Sequence, residues 1–247
     1  MKISYLFLGL VANYAAFVSA DGAGNKIDTT IPLYSKLTSS CLDEIKESSI
    51  YNECLFSVGF HDIGNLRDDC KKAFSDKCKT FFEDPISSLP KCKNDTVMME
   101  YNEYLKDIAL DINTFYCSVN EENNTCPSAL FIIENPNDYS ERFMEDCPFK
   151  ICLDKQIQYL ENQKKYSSFN NKYFINDSSY DETADKRYYD YIINKLKTQE
   201  CTSQIKNNST TNTTKLITEI PENTSDAASI KVFSFLLSFL LVYVFFY

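Results

Sequence analysis

The sequence predicts an all-α domain stapled by disulfides, built from about five to six helices and followed by a disordered Ser/Thr/Asn-rich stalk. Three observations carry that expectation. Apolar residues recur at three- and four-residue spacing along several stretches of residues 38–201, which is helical periodicity. Ten cysteines, at 41, 54, 70, 78, 92, 117, 126, 147, 152 and 201, all fall inside that span. From Thr202 onward Ser, Thr and Asn dominate and large apolar residues nearly vanish, so this part has too little surface to bury.

The helices are expected in the following order. Residues 21–37, with Gly22, Gly24 and Pro32, read as a loose leader. Ser40-Cys-Leu-Asp43 has the hydroxyl-to-carboxylate spacing of a helix start, opening a helix through Leu42, Ile45, Ile50, Cys54 and Leu55. A second helix over about 66–84 carries Cys70, Ala73, Phe74, Cys78, Phe81 and Phe82 on one face, and Asp84-Pro85 stops it. The strongest stripe, Val97, Tyr101, Tyr104, Leu105, Ile108, Ile112, Phe115 and Tyr116, predicts a helix over 96–116 opened by Asp95 or Thr96. Aromatic residues at that spacing are expected in the core.

Between Cys117 and Cys126 the chain is polar, and a local bridge is expected there. The short run Ala129-Leu-Phe-Ile-Ile133 fits a strand or a helical turn equally well. A short helix at 138–146 leads through Cys147 to another at 151–165, bearing Leu153, Ile157 and Leu160. Residues 166–180 read as polar and irregular. A last helix over 182–199 shows Tyr188, Tyr189, Ile192, Ile193 and Leu196, and Cys201 closes the folded part.

The two ends address the chain. Lys2, the apolar run from Ile3 to Ala12 and the exit Val18-Ser-Ala20 make residues 1–20 a signal peptide, cut after Ala20. At the other end Val232–Tyr247 is 16 uncharged, mostly apolar residues. A spanning helix wants about 20. Small and polar residues precede this run, the pattern for exchange onto a glycosylphosphatidylinositol (GPI) lipid. Asn223 is the expected attachment residue, with Ser225 as the alternative, and 224–247 would be the removed propeptide. The spacer after Asn223-Thr-Ser is six residues, against four for Ser225.

Processing would remove Lys2, Lys231 and Asp226, leaving 23 basic and 34 acidic residues and a net charge of −11. Such a surface repels nucleic acid, so nucleic acid is excluded as a partner. In an oxidising compartment an even cysteine count reads as five disulfides. Metal binding by the cysteines lacks support, with no Cys-x-x-Cys pair and only one histidine, His61. Pairing stays open, since ten cysteines allow about 945 connectivities. Asn-x-Ser/Thr sequons at Asn94, Asn123, Asn176, Asn207, Asn208 and Asn212 mark candidate N-glycosylation sites, the last three on the stalk at 202–223.

Catalytic motifs are sparse. There is no Gly-x-Ser-x-Gly elbow, phosphate-cradling glycine loop or His-Glu-x-x-His, and no cofactor is expected. Gly59-Phe-His-Asp-Ile-Gly64 faintly resembles the active-site helix of secreted phospholipases A2. The resemblance implies His61 as base and Asp62 as calcium ligand. The family's cysteine two residues before the histidine is absent here, Cys54 lying seven before it, and its glycine-rich calcium loop is not visible. The order signal peptide, cysteine-rich helical domain, glycosylated stalk and apolar tail resembles that of GPI-anchored cysteine-rich surface proteins of fungi. That resemblance implies a non-enzymatic interaction, adhesion or protective role at the plasma membrane or cell wall. The partners it implies are the membrane, through the lipid, and wall glycans or another surface protein.

Overall fold

The longest apolar stripe becomes the axis of the fold. The computed structural model describes residues 31–56, 63–134, 141–206 and 215–219. In chain order the α-helices among them are α1 (Pro32–Ser35), α2 (Ser39–Glu47), α3 (Ser49–Phe56), α4 (Leu66–Ala73), α5 (Asp76–Glu83) and α6 (Thr96–Cys117). After these come α7 (Pro127–Glu134), α8 (Lys150–Lys165), α9 (Ser167–Asn170), α10 (Glu182–Leu196) and α11 (Gln199–Thr202). Two short strands, β1 (Ser118–Val119) and β2 (Lys215–Leu216), pair antiparallel, with Ser118 opposite Leu216 and Val119 opposite Lys215.

The all-α expectation holds, but eleven described helices replace the five or six expected. Single residues make the difference. Ser48 adopts an extended conformation that ends α2, and its Oγ accepts from Tyr51 N at 3.2 Å to start α3. Ser75 does the same between α4 and α5, accepting from Cys78 N at 3.3 Å. A serine that caps the next helix splits an otherwise continuous stripe. The expected helix start at Ser40 lies inside α2. Thr38 is the cap position, and its N–H donates to Asp95 Oδ2 at 2.7 Å. The ambiguous run 129–133 is helical, within α7, and the helix expected at 138–146 is a 3₁₀ segment over its described part, Glu141–Asp146.

α6 begins as expected, with the Asp95 side chain accepting from Met98 N at 3.0 Å. Around it lies one core. Tyr101, Tyr104, Leu105, Ile108, Ile112 and Phe115 are buried against Tyr51 and Phe81 on one side and Tyr159, Phe174 and Tyr189 on the other. Phe115 stacks on Tyr159 at 4.4 Å between centroids, and Phe169 on Tyr104 at 4.5 Å. Offset aromatic pairs of this kind add to plain area burial.

The chain from 150 to 175 returns antiparallel along α6, and an acidic edge of α6 sets the register. Glu121 Oε1, just beyond the helix, accepts from Ile151 N at 3.2 Å, and Asp111 accepts from Gln158 and Asn162, both at 2.8 Å. Asp107 takes Lys165 and the Tyr166 hydroxyl, and Glu100 takes Lys172 and the Tyr173 hydroxyl. Residues 166–180, expected to be irregular, contain α9 and a π-turn at Asn171–Ile175. Tyr173 and Phe174 of that turn are buried because they close the aromatic cluster.

Both boundaries of the folded unit move outward. Ile31, Leu33 and Tyr34, assigned to the leader, are buried, so the body begins at least seven residues before position 38. Of the expected stalk, Lys206 N donates to Pro148 O at 3.1 Å, and Leu216 and Ile217 pack on the core beside β1. These described residues contact the body.

Candidate functional site

All ten cysteines pair. The bridges are Cys41–Cys92, Cys54–Cys78, Cys70–Cys117, Cys126–Cys152 and Cys147–Cys201, with Cα separations between 4.6 and 5.8 Å. Every one is buried, and no described cysteine is free. The local bridge expected between Cys117 and Cys126 is not formed. Backbone hydrogen bonds already close that hairpin: Cys126 N to Ser118 O at 3.2 Å and Asn120 N to Asn124 O at 2.8 Å. The two cysteines therefore serve separate helices. Three bridges lie within residues 41–117 and two within 126–201, and none crosses between these halves.

The described sequons sit where a glycan can be carried. Asn94, Asn123 and Asn176 are all exposed. Asn123 and Asn176 adopt positive φ, 63° and 57°, the left-handed conformation that asparagine tolerates better than most residues. Asn123 forms the tip of the 118–126 hairpin, and Asn176 caps the π-turn. His61, Asp62, Asn207, Asn208, Asn212, Asn223 and Ser225 lie outside the described residues, as do the expected signal peptide at 1–20 and the apolar run 232–247. Among the described residues no group of three or more His, Cys, Asp or Glu side chains is placed to hold a metal ion. Also among them, no helix is long and apolar enough to cross a membrane.

Two buried carboxylates escaped the sequence reading. Asp146 is fully buried; its Oδ1 accepts from Ser128 N at 3.0 Å in the first turn of α7, while Oδ2 has no partner. Gln156 of α8 reaches the same place, donating to Ser128 Oγ at 2.9 Å. Burial pushes the Asp146 carboxyl up to about 6, although hydrogen bonds from Ser128 pull the other way. Asp185 is 2% exposed and is also pushed up to about 6 by burial.

Around Asp185 the polar groups are incompletely satisfied. Tyr180 Oη stands 3.5 Å from its Oδ2. Ser167 Oγ is near enough to Asp185 and Tyr180 to bias their titration, yet makes no hydrogen bond of normal geometry. Asn170 Nδ2 donates to Gln163 Oε1 at 3.2 Å, which leaves Asn170 Oδ1 and Gln163 Nε2 without partners. Gln163 near the end of α8 and Ser167 and Asn170 of α9 are all buried, on either side of the break at Tyr166. Such a set suits buried water, which needs two to four polar partners. It has hydroxyls and a carboxyl, but Ser167 Oγ makes no hydrogen bond to a base, so it lacks the pairing that activates a nucleophile. One sequence signal was available for Asp185. It continues the stripe of Tyr189, Ile192 and Leu196 by one turn, and a charged residue in an apolar stripe is out of place unless buried for a reason.

No family model, curated protein or solved structure matches the chain. Its own residues are then the only guide to its role.

Proposed function

We propose that the chain is a GPI-anchored, glycosylated cell-surface or cell-wall protein that acts by binding, in an interaction, adhesion or protective role. The observation that carries this reading is the pairing of all ten cysteines between a signal-like front and an apolar tail. Five buried bridges suit an oxidising compartment and leave no thiol for chemistry. Exposed sequons at Asn94, Asn123 and Asn176 add support from the same compartment. Interaction through the surface is favoured over catalysis because Ser128 and Asp146 are buried away from solvent and Ser167 beside Asp185 has no well-formed hydrogen bond to a base.

The test uses cells expressing the full chain. Treatment with phosphoinositide-specific phospholipase C should release the protein, starting at Asp21 and ending at Asn223 with the glycan remnant attached. Retention of the protein on the cell, with Tyr247 still present, overturns the anchor. Released protein that hydrolyses phospholipid with calcium, and loses that activity in His61→Ala, would replace the binding role by a hydrolase.

A further inference from the structure

The segment after the last cysteine carries one more consequence. Lys206 is fixed to the 118–126 hairpin end of the body: its Nζ pairs with Glu122 at 2.8 Å and lies 4.7 Å from the Phe149 ring centroid. Lys215 and Leu216 are fixed to the same hairpin through β1, and the 3₁₀ turn Ile217–Glu219 packs beside α4. The chain between Cys201 and Glu219 is thus fastened twice at one end of the molecule. That end is the carboxyl end of α6, because β1 follows Cys117 directly. From Glu219 to Asn223 there are only four residues, which reach at most about 14 Å. A free stalk over 202–223 would instead span roughly 26 Å on average and could extend much farther.

We infer that the tether is clamped, so that the hairpin, β2 and α4 face the lipid headgroups while the amino-terminal end of α6 faces outward. This rests on the proposed lipid anchor at Asn223. The inner end is close to neutral, with α4 at +1 and Lys215 at +1 against Glu121 and Glu122 of the hairpin, on a chain whose net charge is −10. The outer end stands about 33 Å away, the length of a 22-residue helix. It holds Asn94 beside the start of α6, and Asn176 follows the π-turn that pairs with Glu100, while Asn123 at the hairpin tip belongs to the inner end, so the sequons do not distinguish the two ends. It also holds Met99, one of two large apolar side chains more than half exposed among the described residues. The Asp95–Glu100 end with α1 and the π-turn therefore faces away from the bilayer, and the hairpin end faces it.

Two measurements test this. Hydrogen exchange on the full-length protein purified in detergent should show the amides of 215–219 slowed roughly tenfold or more relative to an unstructured peptide. Leu216→Ser/Ile217→Ser should abolish that protection and leave the five bridges and the melting of the body in place. On cells, a fluorophore at position 124 should transfer energy to a membrane dye more strongly than one at position 99, and the serine double variant should lose the difference. Unprotected 215–219, or equal transfer from both positions in the wild type, overturns the clamp. Phospholipase release separates the two ideas. Release with equal transfer sinks the orientation and keeps the anchor, whereas protection and unequal transfer without release keep the clamp and sink the GPI lipid.

Discussion

Replacing Asp146 by Asn should make the protein less sensitive to pH and more stable at neutrality. The side chain is fully buried, and its carboxyl is raised from 3.8 to about 6. A shift of about two units corresponds to roughly 3 kcal/mol. The sign follows from which state holds the proton. Between about pH 4 and 6 the folded chain keeps a proton that the unfolded chain has released, so stability falls as pH rises through that window. Below it the group costs nothing by ionisation, and above it the full cost is present. Asn keeps an oxygen to accept from Ser128 N and cannot ionise. Its amide replaces Oδ2, which has no partner, so part of the gain is offset by an unsatisfied donor. The net expectation at pH 7 is about 1–3 kcal/mol, or a rise in melting temperature of roughly 3–9 °C. Circular dichroism melts from pH 4 to 7, with bridges intact, give the comparison. Wild type and variant with the same pH slope would refute the reasoning, because general charge repulsion is common to both. Asp185 titrates in the same direction and window, so Asp185→Asn should remove a further part of the slope.

Other perturbations follow from the same contacts. Asp95→Ala should cost about 1–3 kcal/mol in urea titration, since it removes the α6 cap and strands Thr38 N–H. Those hydrogen bonds hold the Asp95 carboxyl below its usual range despite burial, so its support is lost as pH falls below the ordinary carboxylate range. Removing Cys126–Cys152 with a pair of alanines, across a separation of 26 residues, should lower stability by about 3 kcal/mol at constant core packing. Asn123→Gln and Asn176→Gln should each remove one glycan's electrophoretic shift from protein recovered from expressing cells, and each should lower stability by about 1 kcal/mol, because glutamine tolerates the positive φ of these positions less well than asparagine.

Much of the helical framework could be read from residue spacing. α6, α8 and α10 were each visible as stripes, and Asp95 announced the start of α6, because burial on one face leaves a 3.6-residue signature. The breaks at Ser48 and Ser75 were hidden, since one residue turning extended does not disturb the stripe on either side. Tyr173 and Phe174 were hidden for a different reason: they are buried by a π-turn whose spacing matches neither helix nor strand. The acidic edge of α6 left a trace that only the antiparallel arrangement makes meaningful. Glu100 and Asp107 stand seven apart, two turns of α6, and Lys165-Tyr166 and Lys172-Tyr173 repeat the same interval across the end of α8, α9 and the π-turn. Disulfide pairing and the docking of Leu216 depend on contacts distant in sequence. The site fared worse than the fold: the exposed sequons were legible, whereas Asp146 and Asp185 were lost among many acids.

The bridge pattern identifies where the molecule is least protected. No disulfide joins residues 41–117 to 126–201, so the two halves are held by the hairpin, the polar edge of α6 and the packing of α6 on α8, α9 and the π-turn. Several of the charged pairs on that edge are solvent-exposed, and exposed pairs contribute little. The packing must therefore dominate, and Phe115 sits at its centre, 1% exposed and stacked on Tyr159. Phe115→Ala should cost about 3–5 kcal/mol, as large cavities in cores do. A bridge deletion acts chiefly on the unfolded chain, but this change acts on the folded seam. Hydrogen exchange should then show α8 and α10 opening more readily than α2 to α5, with all five bridges still intact by mass. Equal loss of protection in both halves would mean that the seam is no weaker than the stapled lobes, and that the bridges do not divide the molecule's stability as their pattern divides its sequence.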